Sequence, residues 1–352
     1  MKDTYLELYT DYLIASFGKT TATGLSEVLE GVISHDKITR FLSQREYTSK
    51  ELWQLVKKEV RAIEEEEGVL IFDDTVQEKP YSKESDLICW HWDHTFNRNM
   101  KGINLLNCVY NGNGVSLPIA FELIKKPIQF SDLKTKKRKR KSEVTKNELL
   151  REMLTTCQHN QVKWRYLLAD SWFASSENMK HVDEKLNKYF ILALKSNRLV
   201  ALSKKDKKDG CFTRIDELDW SEKKPLEGWI RGLEFPVLFH RQIFTNKDGS
   251  TGILYLITND LDLTATKIET IYQKRWNVEV FHKNIKSNTA LAKSPTSTIC
   301  TQSNHIFMSI YASAKLEILA IKQKMNTFAL RAKIYTSALK TAFSQLRVLQ
   351  NA

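Results

Sequence analysis

Two short apolar runs, each ending in a carboxylate, constrain this chain most. Val69-Leu-Ile-Phe72 follows Gly68 and leads into Asp73-Asp74-Thr75, and Leu167-Leu-Ala169 leads into Asp170. A continuous apolar run bounded in this way, without alternation, is the pattern of a strand buried on both faces. Such strands belong to an α/β sheet, whose functional side chains gather at the strands' carboxyl ends. Adjacent Asp73 and Asp74 would point to opposite faces if the strand continues through both.

The order of patterns around these runs supports that class. Asn104 to Tyr110 and Val115 to Leu123 read as strands joined by the hairpin signal Asn111-Gly-Asn-Gly114. Residues 145–158 read as a helix, Val162 to Ala169 as a strand, Ser175 to Leu186 as a helix and Tyr189 to Lys195 as a strand. Between Lys195 and Thr264 the character changes: Trp229 to Leu233, Val237 to Thr245, the turn Asn246 to Gly249 and Gly252 to Thr258 read as antiparallel β with little helix. Two amphipathic helices, Gln302 to Lys324 and Thr327 to Leu349, close the chain.

The N-terminal part is helical. Residues 3–17 form one helical pattern, and Thr23 to Leu42 holds two more, broken near Gly31. Ser34 would cap the second, with Ile38, Phe41 and Leu42 inward and His35, Lys37, Thr39 and Arg40 outward, the shape of a helix-turn-helix whose second helix enters a major groove. An ordinary helical hairpin fits the same residues. Thr48 and Glu51 make a capping box for a third helix, to about Glu67.

Thr264 to Lys286 reads as one helix carrying Tyr272, Arg275, Glu279 and Lys286. At about 100° per residue these four polar groups fall within an arc of roughly 60°. Ile271, Val278 and Ile285 recur on the adjoining arc, so one stripe packs and the other is presented. A surface helix with an Arg275–Glu279 ion pair is the plainer account of the same spacing.

The run Tyr272-Gln-Lys-Arg275-Trp-Asn-Val-Glu279-Val-Phe-His-Lys-Asn-Ile-Lys286 resembles the Tyr-Arg-Glu-Lys signature of bacterial insertion-sequence transposases of the DDE type. The resemblance implies a ribonuclease-H-like α/β catalytic domain interrupted by a β-rich insertion, with helical N- and C-terminal parts. It implies two Mg²⁺ ions, with Mn²⁺ as substitute, held by two aspartates and a glutamate. In that family the metal-binding Asp directly precedes a Thr, which selects Asp74; Asp170 and Glu279 complete the catalytic set. Two ions held by carboxylates can activate the incoming oxygen and stabilise the departing one. Tyr272, Arg275 and Lys286 then suit contacts to strand phosphates, and Lys37 and Arg40 a contact to the duplex.

The expected division is 1–67 a helical DNA-binding region, 68–197 with 263–295 the catalytic domain, 198–262 the β insertion and 296–352 a C-terminal helical region. The reaction implied is cleavage at the ends of an insertion sequence and joining of 3′ hydroxyls to target DNA, cut-and-paste through hairpin ends, by a homodimer on paired ends. A nuclease or resolvase that cuts without joining, and a DNA-binding protein whose site has decayed, are the alternatives.

Charge agrees with a polyanionic partner, double-stranded DNA: 54 Lys plus Arg against 42 Asp plus Glu leave +12. Five scattered cysteines without a Cys-x-x-Cys pair suggest free thiols rather than disulfides or zinc. No signal region or bilayer-length apolar stretch is present, so a cytoplasmic protein of the bacterial nucleoid, with no membrane partner, is expected. His91 and His94 read as polar neighbours of a sheet rather than metal ligands, Trp90, Trp92 and Trp229 as core, and Lys134 to Lys141 as a solvated basic loop or a DNA-backbone contact.

Overall fold

The structure, a computed structural model, describes residues 4–351 except 94–96, 134–135, 222–223 and 247, and without the side chain of Asp93. His94 and Lys134 lie outside the described residues. Four helices open the chain: α1 (Thr4–Ala15), α2 (Ala22–Val28), α3 (His35–Ser43) and α4 (Ser49–Ile63). The capping box of Thr48 and Glu51 starts α4, while Ser34 stands at the N-cap of α3 without a side-chain cap bond. In α3, Ile38, Phe41 and Leu42 are buried and His35, Lys37, Thr39 and Arg40 are exposed.

The sheet begins with β1 (Val69–Glu78), β2 (Cys89–Asp93), β3 (Arg98–Gly112) and β4 (Val115–Leu123). A small hairpin, β5 (Ile128–Ser131) with β6 (Arg138–Lys141), precedes α5 (Lys146–His159), β7 (Tyr166–Ala169), α6 (Ser176–Lys180, continued by a π-turn over 181–185) and β8 (Tyr189–Leu194). Then come β9 (Leu199–Ala201), α7 (Lys204–Asp209), β10 (Thr213–Arg214), β11 (Leu226–Ile230), β12 (Val237–Thr245) and β13 (Thr251–Thr258). Four helices finish the chain: α8 (Ala265–Gln273), α9 (Trp276–Ser287), α10 (Ile299–Lys322) and α11 (Thr327–Gln350).

Among the described residues, eleven strands make one mixed sheet, in the order β10-β9-β11-β12-β13-β8-β7-β1-β3-β2, with β4 also on β3. At its centre β1, β7 and β8 run parallel and β3 antiparallel to β1. Val69 to Phe72 and Leu167 to Ala169 are fully buried, as their unbroken apolar runs require. This antiparallel-then-parallel arrangement, flanked by helices at both ends of the chain, is consistent with a ribonuclease-H-like domain. Gly102 sits where β3 passes between β1 and β2, and a Cβ there would stand 2.3 Å from the carbonyl oxygen of Gln77.

Residues 198–262 hold β9 to β13 and join the central sheet through β13, which pairs with β8 from Tyr255–Leu194 to Thr258–Ile191. Several other expectations are corrected. The basic run is not a plain solvated loop: Arg138–Lys141 is a strand, and Arg140 bonds Glu84 and, at 2.6 Å, Asp86. Trp229 is buried as expected, but Trp90 and Trp92 are about half exposed. α10 is not amphipathic over most of its length. From Thr301 to Ala314 every residue is buried, and Asn304, His305, Ser309 and Ser313 find partners inside. His305 takes the Tyr9 hydroxyl at Nδ1 and faces the Ala290 carbonyl at Nε2, both at 3.0 Å.

The N- and C-terminal helices thus form one packed unit: α10 lies against α1, α3, α4, α9 and β4. Asn304 ties them, accepting from the Tyr47 amide at 2.9 Å and donating to the carbonyls of Leu42 at 2.8 Å and Arg45 at 2.6 Å. Beyond Arg331, α11 has no buried residue. All five cysteines are free thiols, and no described helix is long and apolar enough to cross a membrane.

Asn304→Ala leaves three backbone groups in the interior without their partner, so stability falls by about 3 kcal/mol. A urea unfolding midpoint unchanged from the wild type would contradict this role.

Candidate active site

The site is built where β1, β7 and the α8–α9 pair meet. β1 continues without a bulge through Asp73 and Asp74, so its side chains alternate between the faces of the sheet. Thr75, on the face of Asp73, accepts from Lys286 Nζ of α9 at 2.6 Å. Asp74, on the other face, receives Lys146 Nζ from the first residue of α5 at 2.7 Å and Asn104 Nδ2 at 2.7 Å. Both carboxylate oxygens of Asp74 are therefore engaged.

Asp73 belongs to the other group. It faces α9, and its ligand atoms lie within 4.8 Å of those of Glu279 and His282. Parallel pairing of Phe72 with Ala169 brings the next residues, Asp73 and Asp170, side by side. Asp170 then turns, its Oδ1 accepting from the Trp172 amide at 2.9 Å.

Electrostatics agree with this crowding. Burial, then the charges of Asp170 and Glu279, push the Asp73 carboxyl up to about 7, against the pull of Arg275. Burial also raises Asp170, with the charge of Asp74 adding to it. Arg275 Nη1 lies 3.5 Å from both Asp73 and Glu279. His282 is buried and pushed down to about 3, so its ring is neutral at physiological pH. The residues that meet here are two carboxylates and a neutral imidazole, with a third carboxylate beside them, a donor set that fits a divalent cation.

The single helix expected over Thr264 to Lys286 is two. At the junction the amides of Lys274, Arg275, Asn277 and Val278 bond carbonyls three residues back, which winds the chain more tightly than an α-helix. The added rotation turns Tyr272 out of the polar arc. Tyr272 is 7% exposed and donates to the Ala169 carbonyl at 3.3 Å, anchoring α8 beneath the end of β7. The phosphate contact expected of Tyr272 is replaced by this packing role. Arg275, Glu279 and Lys286 stay together on the cleft.

The cleft has a volume of about 1160 Å³. Asp73, Asp74, Asp170 and Glu279 line it together with six cations, Lys126, Lys146, Lys195, Arg275, Lys283 and Lys286. The exposed Trp92 and Trp172 form part of its wall, Trp172 beneath Lys146 at 4.8 Å and Lys195 at 5.9 Å from its ring centre. A charged floor rimmed by lysines and aromatics can accept a phosphate backbone. Lys37 and Arg40 are not among the lining residues. His91 lines the cleft and bonds Cys89 at 3.3 Å, outside the Asp73 group.

Sequence reasoning missed Lys146, Asn104, Asn107 and His282. Only His282 had a legible signal, lying one helical turn after Glu279.

The chain matches the family described as DDE superfamily endonuclease over residues 2–209 and that described as transposase DDE domain over residues 137–313. No curated protein matches it.

The raised Asp73 carboxyl makes a stability prediction for metal-free protein. Its folded value lies above the ordinary carboxylate range, so the associated stability is present at low pH and lost as pH rises through about 7. In a chelator, the melting temperature falls between about pH 4 and about pH 7 and levels off above that, and Asp73→Asn removes most of that fall. Parallel curves for the two proteins would contradict the burial of this charge.

Proposed function

The chain belongs to the DDE family of endonucleases and transposases, and on that premise we propose that it cleaves the ends of an insertion sequence and joins the 3′ hydroxyl ends to target DNA. Asp73, Asp170 and Glu279 would hold two Mg²⁺ ions, with Asp73 in the place that the Asp-Thr motif suggested for Asp74. The observation that carries this reading is the approach of Asp73 to Glu279 and His282 across a cleft rimmed by cations. When bound, the ions supply a polarised water or hydroxyl nucleophile and a counter-charge for the leaving oxygen.

The chain's own residues do the rest. Arg275, 3.5 Å from both Asp73 and Glu279, would offer its fork to a non-bridging phosphate oxygen. Lys286 and Lys146 hold neighbouring phosphates and keep the scissile bond in line between the carboxylates. Asp74 orients Lys146 and leaves the metals to the opposite face. Helix α3 carries Lys37 and Arg40 into the groove of the terminal repeat, at a distance from the chemistry.

Release through hairpin ends and a homodimer on paired ends complete the reading, with residues 1–67, 68–197 plus 263–295, 198–262 and 296–352 as functional units. Tyr335, Leu339, Phe343 and Leu346 support α11 as a contact between copies, since they form an exposed apolar stripe at helical spacing.

Asp73→Asn and Glu279→Gln each lower cleavage of end-bearing DNA at least about a hundredfold while binding persists, whereas Asp74→Asn stays within about tenfold of wild type. Equal losses at Asp73 and Asp74 would overturn the assignment. The same assay with added target DNA yields joined products; nicks without joining would move the reading to a nuclease or resolvase. Exchanging Lys37 and Arg40 together for Ala weakens end binding and reduces its salt slope by about 2, with little change in nicking of DNA already bound. An unchanged slope would remove α3 from the interface.

A further inference from the structure

His282 is 5% exposed and sits one turn after Glu279 in α9, so both side chains leave the helix on the side of β1. Its Nε2 lies 3.0 Å from the side-chain nitrogen of Asn107. Asn107 stands directly across from Asp73 in the β1–β3 pairing, on the same face, and is fully buried. Its Oδ1 is buried with no hydrogen-bond partner. The two ends of an amide have nearly the same shape, and a half-turn of this one exchanges its long 3.3 Å bond to the Leu105 carbonyl for an oxygen that accepts from the imidazole N–H. The other ring nitrogen then presents its lone pair, held in one tautomer by Asn107.

We propose that His282 is a ligand, with Asp73 and Glu279, for one of the divalent cations, and that Asn107 fixes the ring for that task. The inference rests on the metal site proposed above and deepens it. Mg²⁺ prefers oxygen and suits an all-carboxylate site, whereas an imidazole nitrogen favours a first-row transition metal. A site of two carboxylates and one imidazole therefore prefers Mn²⁺ to Mg²⁺ more strongly than a three-carboxylate site does.

The test is Mn²⁺ bound to the full chain, read by electron spin-echo modulation. The wild type shows modulation from a directly bound ¹⁴N nucleus, which changes to the ¹⁵N pattern in protein grown with ¹⁵N-histidine and disappears in His282→Gln. Asn107→Leu weakens Mn²⁺ binding by about tenfold and Mg²⁺ binding by less. A wild-type spectrum without nitrogen modulation refutes the role without any variant. Bound Mn²⁺ without nitrogen modulation, or modulation that persists in folded His282→Gln, overturns the role of His282. In either case binding that still falls in Asp73→Asn keeps the carboxylate site intact. Failure of the wild type to bind Mn²⁺ at all overturns both.

Discussion

An unbroken strand through two neighbouring aspartates is the constraint on which the site depends. β1 has a period of two, so Asp73 and Asp74 cannot serve the same face. One carboxylate rises toward α9 and the other drops toward α5, where Lys146 and Asn104 receive it. The parallel register with β7 brings Asp170 beside Asp73. The tight turn between α8 and α9 then aims Glu279 and His282 at Asp73 while driving Tyr272 into the core. Sheet register and helix winding, rather than any loop, hold the carboxylates in range of one another.

Four carboxylates lining one cleft repel, and the fold answers with counter-charges placed separately on each face. Arg275 stands between Asp73 and Glu279, and Lys146 stands on Asp74. Even so, Asp73 keeps a proton to about neutral pH. Around it the lysine rim gives the cleft an excess of positive charge for a DNA backbone.

Much of the fold was legible from the chain. The buried strands Val69–Phe72 and Leu167–Ala169, the hairpin into β4, the capping box at Thr48 and the outward face of α3 all follow from local pattern, because burial on two faces and helix capping leave direct marks on neighbouring residues. The break in the helix after Gln273 was not legible, since no Gly or Pro marks it and the polar arc looked continuous. Nor was the placing of Asp73 toward α9 and Asp74 toward Lys146 of α5, which turns on which helix covers which face, a tertiary fact that no local spacing carries. The burial of α10 was hidden for a related reason: Asn304, His305 and Ser309 read as a polar face until their partners up to 296 residues away are in place.

The account comes down to which aspartate of the pair meets the metal. Anomalous scattering from crystals grown with Mn²⁺ locates the ion directly. The arrangement described here predicts a peak bridging Asp73 and Glu279, with Lys146 still on Asp74. A peak coordinated by Asp74, with Lys146 displaced and Asp73 unligated, would contradict it.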